Sequence, residues 1–132
     1  MNIPFTAYSR EDTLEWDVEG TEEFEAWYIG LSKADGDAVS RGILLLVTEG
    51  PALGAPHSSK ILGSRHSHMR ELRVQSRGRP LRLLYAFDPR RTAIILLGGD
   101  KTGDKRWYEV HVPLADRLYD EYLEELRREG LI

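Results

Sequence analysis

Cysteine is absent from the chain. That excludes disulfides, thiolate nucleophiles and cysteine-ligated zinc, and it fits a reducing compartment. Long apolar runs are missing too. Residues 43–47 and 93–97 are five-residue apolar runs, far short of the roughly 20 residues needed to span a bilayer. The opening MNIPFTAYSREDTLEW has no basic flank followed by an apolar stretch, so no signal peptide is expected. The expectation is a soluble cytoplasmic protein with no membrane association. Neither a G-x-S-x-G elbow nor a Ser-His-Asp spacing is present, which sets aside the common hydrolases. His57, His66 and His68 have neither cysteine nor a nearby carboxylate in sequence to complete a tetrahedral set, so no metal and no other cofactor is expected.

What remains is an ordinary globular composition. The chain has 132 residues, 41% hydrophobic and 30% charged, the size of one domain with one core. Its net charge of −4 conceals a division. Residues 1–50 hold 3 cations and 11 carboxylates, residues 51–112 hold 12 and 5, and residues 113–132 hold 3 and 6. A basic middle between acidic ends can attract a phosphate backbone locally, or it can be the solvated face of a sheet and its helices.

Residues 1–14 lack periodicity and are expected to be loose, leaving a single domain over 15–132. Residues 15–19 alternate apolar with acidic, the pattern of a short strand. Thr21 with Glu22 and Glu23 opens a helix whose stripe is Phe24, Trp27, Tyr28 and Leu31. Residues 32–36 read as a turn, and a second helix is predicted over 37–48, stopped by Glu49-Gly50-Pro51. Residues 50–68 read as a long surface loop. Three antiparallel strands follow, over 71–75, 81–87 and 92–97, joined by turns at 77–80 and 88–91. Residues 98–106 read as a glycine-rich polar loop. Pro113 is expected in the first turn of a last helix, with Ala115, Leu118, Tyr119, Tyr122 and Leu126 buried. The class is α+β, with Leu72, Val74, Leu83, Tyr85, Ile94, Leu96, Trp27 and Leu118 in the core.

Arg82 is the most informative position, because a guanidinium in an otherwise apolar strand needs an anion or a place at the sheet's rim. Either it pairs with Glu71 or another carboxylate, or it joins Arg73 of the neighbouring strand in one shallow groove. The loop leaving the last strand carries Lys101, Lys105 and Arg106, followed at once by Trp107 and Tyr108. Cations beside aromatics suit a ligand with phosphates and bases, although Trp107 can equally staple the loop to the core. The Gly-Gly-Asp-Lys-Thr-Gly run lacks the spacing of a phosphate-binding P-loop.

The run MRELRVQSRGRPLRLLYAFDPRRTAIILLGGDKTGDKRWYEVHVPLADRLYDEYLEEL, residues 69–126, resembles the HigB-like, phage-derived branch of the RelE/ParE toxin superfamily. LRxLYAFDPRR and GGDKTGxxRWY together carry that resemblance, and the upstream order strand, helix, helix extends it to residues 15–126. It implies a RelE-like fold, a twisted antiparallel sheet with two N-terminal helices and a C-terminal helix. It further implies the toxin of a type II toxin–antitoxin system, cleaving mRNA at the ribosome without a metal and inhibiting translation. ParE-like gyrase poisoning and a non-catalytic phage-derived binding module are the alternatives. In the endoribonuclease reading the RNA's 2′-hydroxyl attacks the neighbouring phosphate and leaves a cyclic phosphate. The resemblance then makes Arg73, Arg82, Lys101 and Tyr108 the catalytic candidates, Arg82 touching the scissile phosphate, and Arg70, Lys105, Arg106 and Trp107 RNA-binding. Arginine stabilises charge but does not take a proton near neutrality, which leaves Tyr108, Glu71 or a histidine for proton transfer. The partners it implies are a helix-turn-helix antitoxin, mRNA and the ribosome, and operator DNA through that antitoxin.

Overall fold

The computed structural model describes residues 3–4 and 15–132. Of the segment 1–14 expected to be loose, only Ile3–Pro4 is described. It forms strand β1, antiparallel to β2 (Val18–Gly20); the rest of that segment lies outside the described residues. Helices α1 (Glu22–Ile29) and α2 (Lys33–Glu49) follow, then a 3-10 turn at Gly50–Ala52 and strands β3 (Ser58–Lys60), β4 (Arg70–Ser76), β5 (Arg79–Phe87) and β6 (Ala93–Asp100). Helix α3 (Trp107–Arg128) completes the order. The strands lie side by side as β1-β2-β6-β5-β4-β3. The sheet is mixed rather than wholly antiparallel, because β2 runs parallel to β6. A strand followed by two helices returns to the sheet far from its hairpin-linked neighbours, and no local signal fixes its direction.

Thr21 caps α1 as expected. Its Oγ1 accepts from the amide of Phe24 at 3.1 Å and donates to the carbonyl of Leu96 at 2.6 Å, tying the helix start to β6. Helix α2 begins four residues earlier than predicted. Ser32, read as part of a turn, is its N-cap, with Oγ accepting from the Asp35 amide at 3.2 Å. Asp35 is buried and holds Ser76, Arg77 and Arg79 at the tip of the β4–β5 hairpin. The turn there is two residues, Arg77 and Gly78, both at positive φ, as a tight hairpin demands. Arg79 and Pro80, read as turn residues, therefore belong to β5.

The sheet separates two cores. Leu72, Val74, Leu81, Leu83, Tyr85 and Ile95 pack under α1 and α2, while Leu84, Ala86, Ile94, Leu96 and Leu97 pack under α3. The expected core residues are buried except Trp27, which is half-buried against its edge. Ala115, Leu118, Tyr119, Tyr122 and Leu126 form the buried stripe of α3. That helix starts at Trp107, so Pro113 sits in its second turn rather than at its beginning.

Two glycines place these layers. A Cβ on Gly98 would lie 2.5 Å from the Trp27 ring, and one on Gly99 would lie 2.7 Å from Nε1 of Trp107. The pair thus lets two indoles rest on opposite faces of one strand, and β6 runs on to Asp100 through residues read as loop. The expected loop over 50–68 is likewise broken by β3, which pairs Ser58, Ser59 and Lys60 with Leu72, Glu71 and Arg70. Three polar residues at a sheet edge carry no alternation to read.

Candidate active site

Alternation along β4 sends Leu72 and Val74 into the core under α1 and α2, and Glu71 and Arg73 to the opposite face. Arg73 and Arg82 are direct cross-strand partners, and Glu71 faces Leu84. Of the alternatives left open for Arg82, the carboxylate pairing holds. Arg82 shares a face with Arg73, and its Nε lies 2.9 Å from Oε1 of Glu71. Its side chain is 12% exposed and that of Glu71 only 6%, while that of Arg73, at 3.7 Å from the same oxygen, is 45% exposed. Arg82 is thus held by a buried carboxylate and by the Leu81 carbonyl, to which it donates at 3.0 Å.

The first turn of α3 brings Tyr108 onto this pair. Its hydroxyl donates to Oε1 of Glu71 at 2.7 Å and accepts from Nε of Arg82 at 3.3 Å. Burial, followed by the bond to Glu71, pushes the phenol's pKa up, and Arg82 offsets this only in part. Tyr108 is therefore a protonated donor at neutral pH. Lys101, tethered by its backbone amide to the carbonyl of Pro80 at 3.1 Å, sets its ammonium 5.2 Å from the centre of the Tyr108 ring. A groove of about 560 Å³ opens here, walled by Glu71, Arg73, Lys101 and Tyr108 and, from the β3 side, by Lys60 and Leu62. Buried among these walls, Ser59 Oγ has no hydrogen-bond partner among the described residues.

The fold brings Arg73, Arg82, Lys101 and Tyr108 together and separates the other expected residues from them. Arg70 is on the opposite face of β4, donating from Nε to Ser58 Oγ at 3.1 Å. Lys105 and Arg106 are exposed before α3, and Arg106 pairs with Glu109 at 2.9 Å. Trp107 is buried, stacked on His111 at 4.4 Å between centroids and seated on Gly99. No face of its ring is open to a base, so of the two roles considered for it, it performs the staple. Ser59 and Lys60 escaped the sequence reading because only the β3–β4 register carries them to the groove, and Leu62 follows just beyond β3. The histidines also find partners that sequence separation hid. His66 lies 2.8 Å from Asp120 and His68 lies 3.1 Å from the Tyr119 hydroxyl, both on α3.

Residues 26–120 match the family described as phage-derived protein Gp49-like (DUF891). The chain belongs to this family. Among its relatives is a protein of Mycobacterium tuberculosis (strain ATCC 25618 / H37Rv) named as toxin HigB2. The two are 41% identical over 114 residues, 85% of this chain and 56% of HigB2. A second protein of that organism, named as toxin HigB3, is 43% identical over 102 residues, 76% of this chain and 88% of HigB3. The chain thus spans little more than half the length of HigB2 and most of HigB3. These matches bear out the HigB-like, phage-derived resemblance carried by the two motifs. No solved structure matches the chain. Among the described residues, no helix is long and apolar enough to cross a membrane.

Proposed function

We propose that this chain is the toxin of a toxin–antitoxin pair and an endoribonuclease that cuts mRNA at the ribosome without a metal, with an antitoxin as its protein partner. The observation that carries this reading is a groove walled by Glu71 and Tyr108, both bonded to Arg82 behind them, whose other charges are cations. Relatives named as toxins support the biological half of it.

The site contains the parts the reaction needs. A phosphodiester seated between Arg73, Arg82 and Lys101 would have its developing negative charge met by fixed cations, the interaction that contributes most to such catalysis. The RNA 2′-hydroxyl gives its proton to the Glu71 carboxylate and attacks phosphorus. The bond to the 5′-oxygen breaks, and that oxygen takes the proton of Tyr108. Glu71 then returns its proton to the phenolate across their 2.7 Å contact. The products are a 2′,3′-cyclic phosphate and a 5′-hydroxyl.

Induction of the chain in growing cells, with primer extension on abundant transcripts, tests the proposal. The expected result is growth arrest with new cleavage ends inside reading frames, both lost in Arg82→Ala. Arrest with intact transcripts and induced DNA damage would overturn it in favour of a gyrase poison. Undisturbed growth would overturn it in favour of a binding module.

A further inference from the structure

A second cavity, of about 380 Å³, lies where β4 begins and β5 ends, and its walls include Pro51, Lys60, His68, Arg70, Phe87 and Arg91. Arg70 and Phe87 alternate with the groove-facing residues of their strands, so they point to the other face of the sheet. Three of the walls are cations, and none of the three has a carboxylate within 4 Å among the described residues. Arg70 donates to Ser58 Oγ and, at 3.5 Å, to the Leu53 carbonyl, and the Arg91 guanidinium lies 5.1 Å from the Trp16 ring centre. The carboxylate in the wall, Asp88, does not neutralise them, because it is saturated elsewhere. Its two oxygens accept from the amides of Arg90 and Thr92, the Arg90 guanidinium and the Tyr122 hydroxyl, at 2.7–3.2 Å.

Lys60 connects this cavity to the first. It lines both, and it stands on β3, the edge strand of the sheet. A flexible ammonium at an edge can follow a polyanion from one face to the other. The cavity pairs cations with two apolar walls, Phe87 and Pro51, and its volume suits a single small ligand. Cations for a phosphate beside an apolar or aromatic plane for a base are the recognition elements of single-stranded RNA.

We propose that this cavity is a nucleotide subsite. It holds a phosphate and a base flanking the scissile bond, while Lys60 carries the RNA backbone around the β3 edge from the groove. The inference rests on the RNA-cleaving reading of the groove, and its test separates the two.

Amide NMR spectra of the full chain are recorded with 2′-O-methyl RNA, which has no free nucleophile, as a dinucleotide and as an octanucleotide. The subsite predicts that the dinucleotide shifts amides near Arg73, Arg82 and Lys101, and that the octanucleotide shifts these together with amides near Arg70, Arg91 and His68. Groove shifts alone with the octanucleotide would overturn the subsite and leave the groove reading standing. Shifts in the cavity alone would support the subsite and overturn the groove as the RNA site. No shift with either RNA would overturn both, and a Glu-rich peptide that moves the cavity amides when RNA does not would overturn the subsite alone. In anisotropy titrations, Arg91→Ala should lower the octanucleotide-to-dinucleotide affinity ratio and reduce the salt slope for the octanucleotide by about one. Arg91→Lys should restore both, and an unchanged ratio in Arg91→Ala would overturn the assignment.

Discussion

Tyr108 donates to Glu71 at 2.7 Å and so joins the first turn of α3 to the outer face of β4. The contact unites two segments separated by 37 positions and places a proton donor, its pKa raised, against a carboxylate already held by Arg82. Tyr108→Phe keeps the ring under Lys101 and removes only the hydroxyl. RNA affinity should therefore stay near the wild-type value while the single-turnover cleavage rate falls by about 10²-fold or more, the usual contribution of a positioned proton-transfer group. A rate unchanged in Tyr108→Phe would take the tyrosine out of the reaction.

The position of Tyr108 depends on its neighbour. Trp107 lies on Gly99, where a Cβ would come within 2.7 Å of the indole nitrogen. Gly99→Ala should displace the indole and destabilise the fold by about 1–3 kcal/mol, the range of an overpacked core. Because Trp107 and Tyr108 are consecutive, the same change should also weaken the tyrosine's hold on Glu71. Thermal unfolding measures the first effect and cleavage rate the second. Full stability in Gly99→Ala would show that the indole can shift without cost.

Much of this architecture was readable from residue patterns, and the failures have physical causes. Leu72 and Val74 announce their strand because period-two alternation reports one core-facing side, and residues 81–87 announce theirs as an apolar run covered on both faces. Thr21 followed by acidic residues announces a helix start, because a hydroxyl cap satisfies an otherwise unpaired amide. Arg82 advertised a buried partner, since a guanidinium in an apolar strand is too costly to leave alone. Gly98 and Gly99 misled, because a glycine that makes room for a tryptophan looks the same in sequence as one that makes a turn. Pro113 misled for a similar reason: proline favours a helix's first turn, but α3 had already begun at Trp107. The direction of β2 and the presence of Lys60 in the groove depend on long-range register, to which local pattern is blind.

Acid should loosen the hairpin tip. Hydrogen bonds from Ser76 and Arg79 hold the Asp35 carboxyl well below the ordinary carboxylate range. A depressed native pKa contributes stability that is present above the unfolded value, about 3.9, and is lost as pH falls toward the native one. The melting temperature of the wild type should therefore drop steeply below about pH 4. Asp35→Asn should melt lower than the wild type at pH 7 and show a shallower acid dependence, because the titrating group is gone. Circular dichroism melts from pH 7 to pH 2.5 check both, and parallel curves for the two proteins would assign the acid sensitivity to other carboxylates.

Capture by the proposed antitoxin can follow two routes that ionic strength distinguishes. An acidic segment laid across Arg73 and Lys101 would neutralise the groove and exclude RNA at once. Arg82 would add less to such a contact, since its charge is already matched by Glu71 at 2.9 Å. The other route uses the helical face, where Ile29 of α1 is 74% exposed and Leu44 of α2 is 61% exposed, and its attraction is apolar. Screening shortens the reach of charges from about 10 Å at 0.1 M salt to about 3 Å at 1 M, and it leaves apolar burial largely unaffected. Because the groove cations are partly exposed, neutralisation there is the expected route. The complex should accordingly weaken by about tenfold or more between 0.05 and 0.5 M salt, and Lys101→Ala should flatten that dependence. Calorimetric titration across the salt series measures it, and an affinity that stays level would assign capture to the Ile29 and Leu44 face.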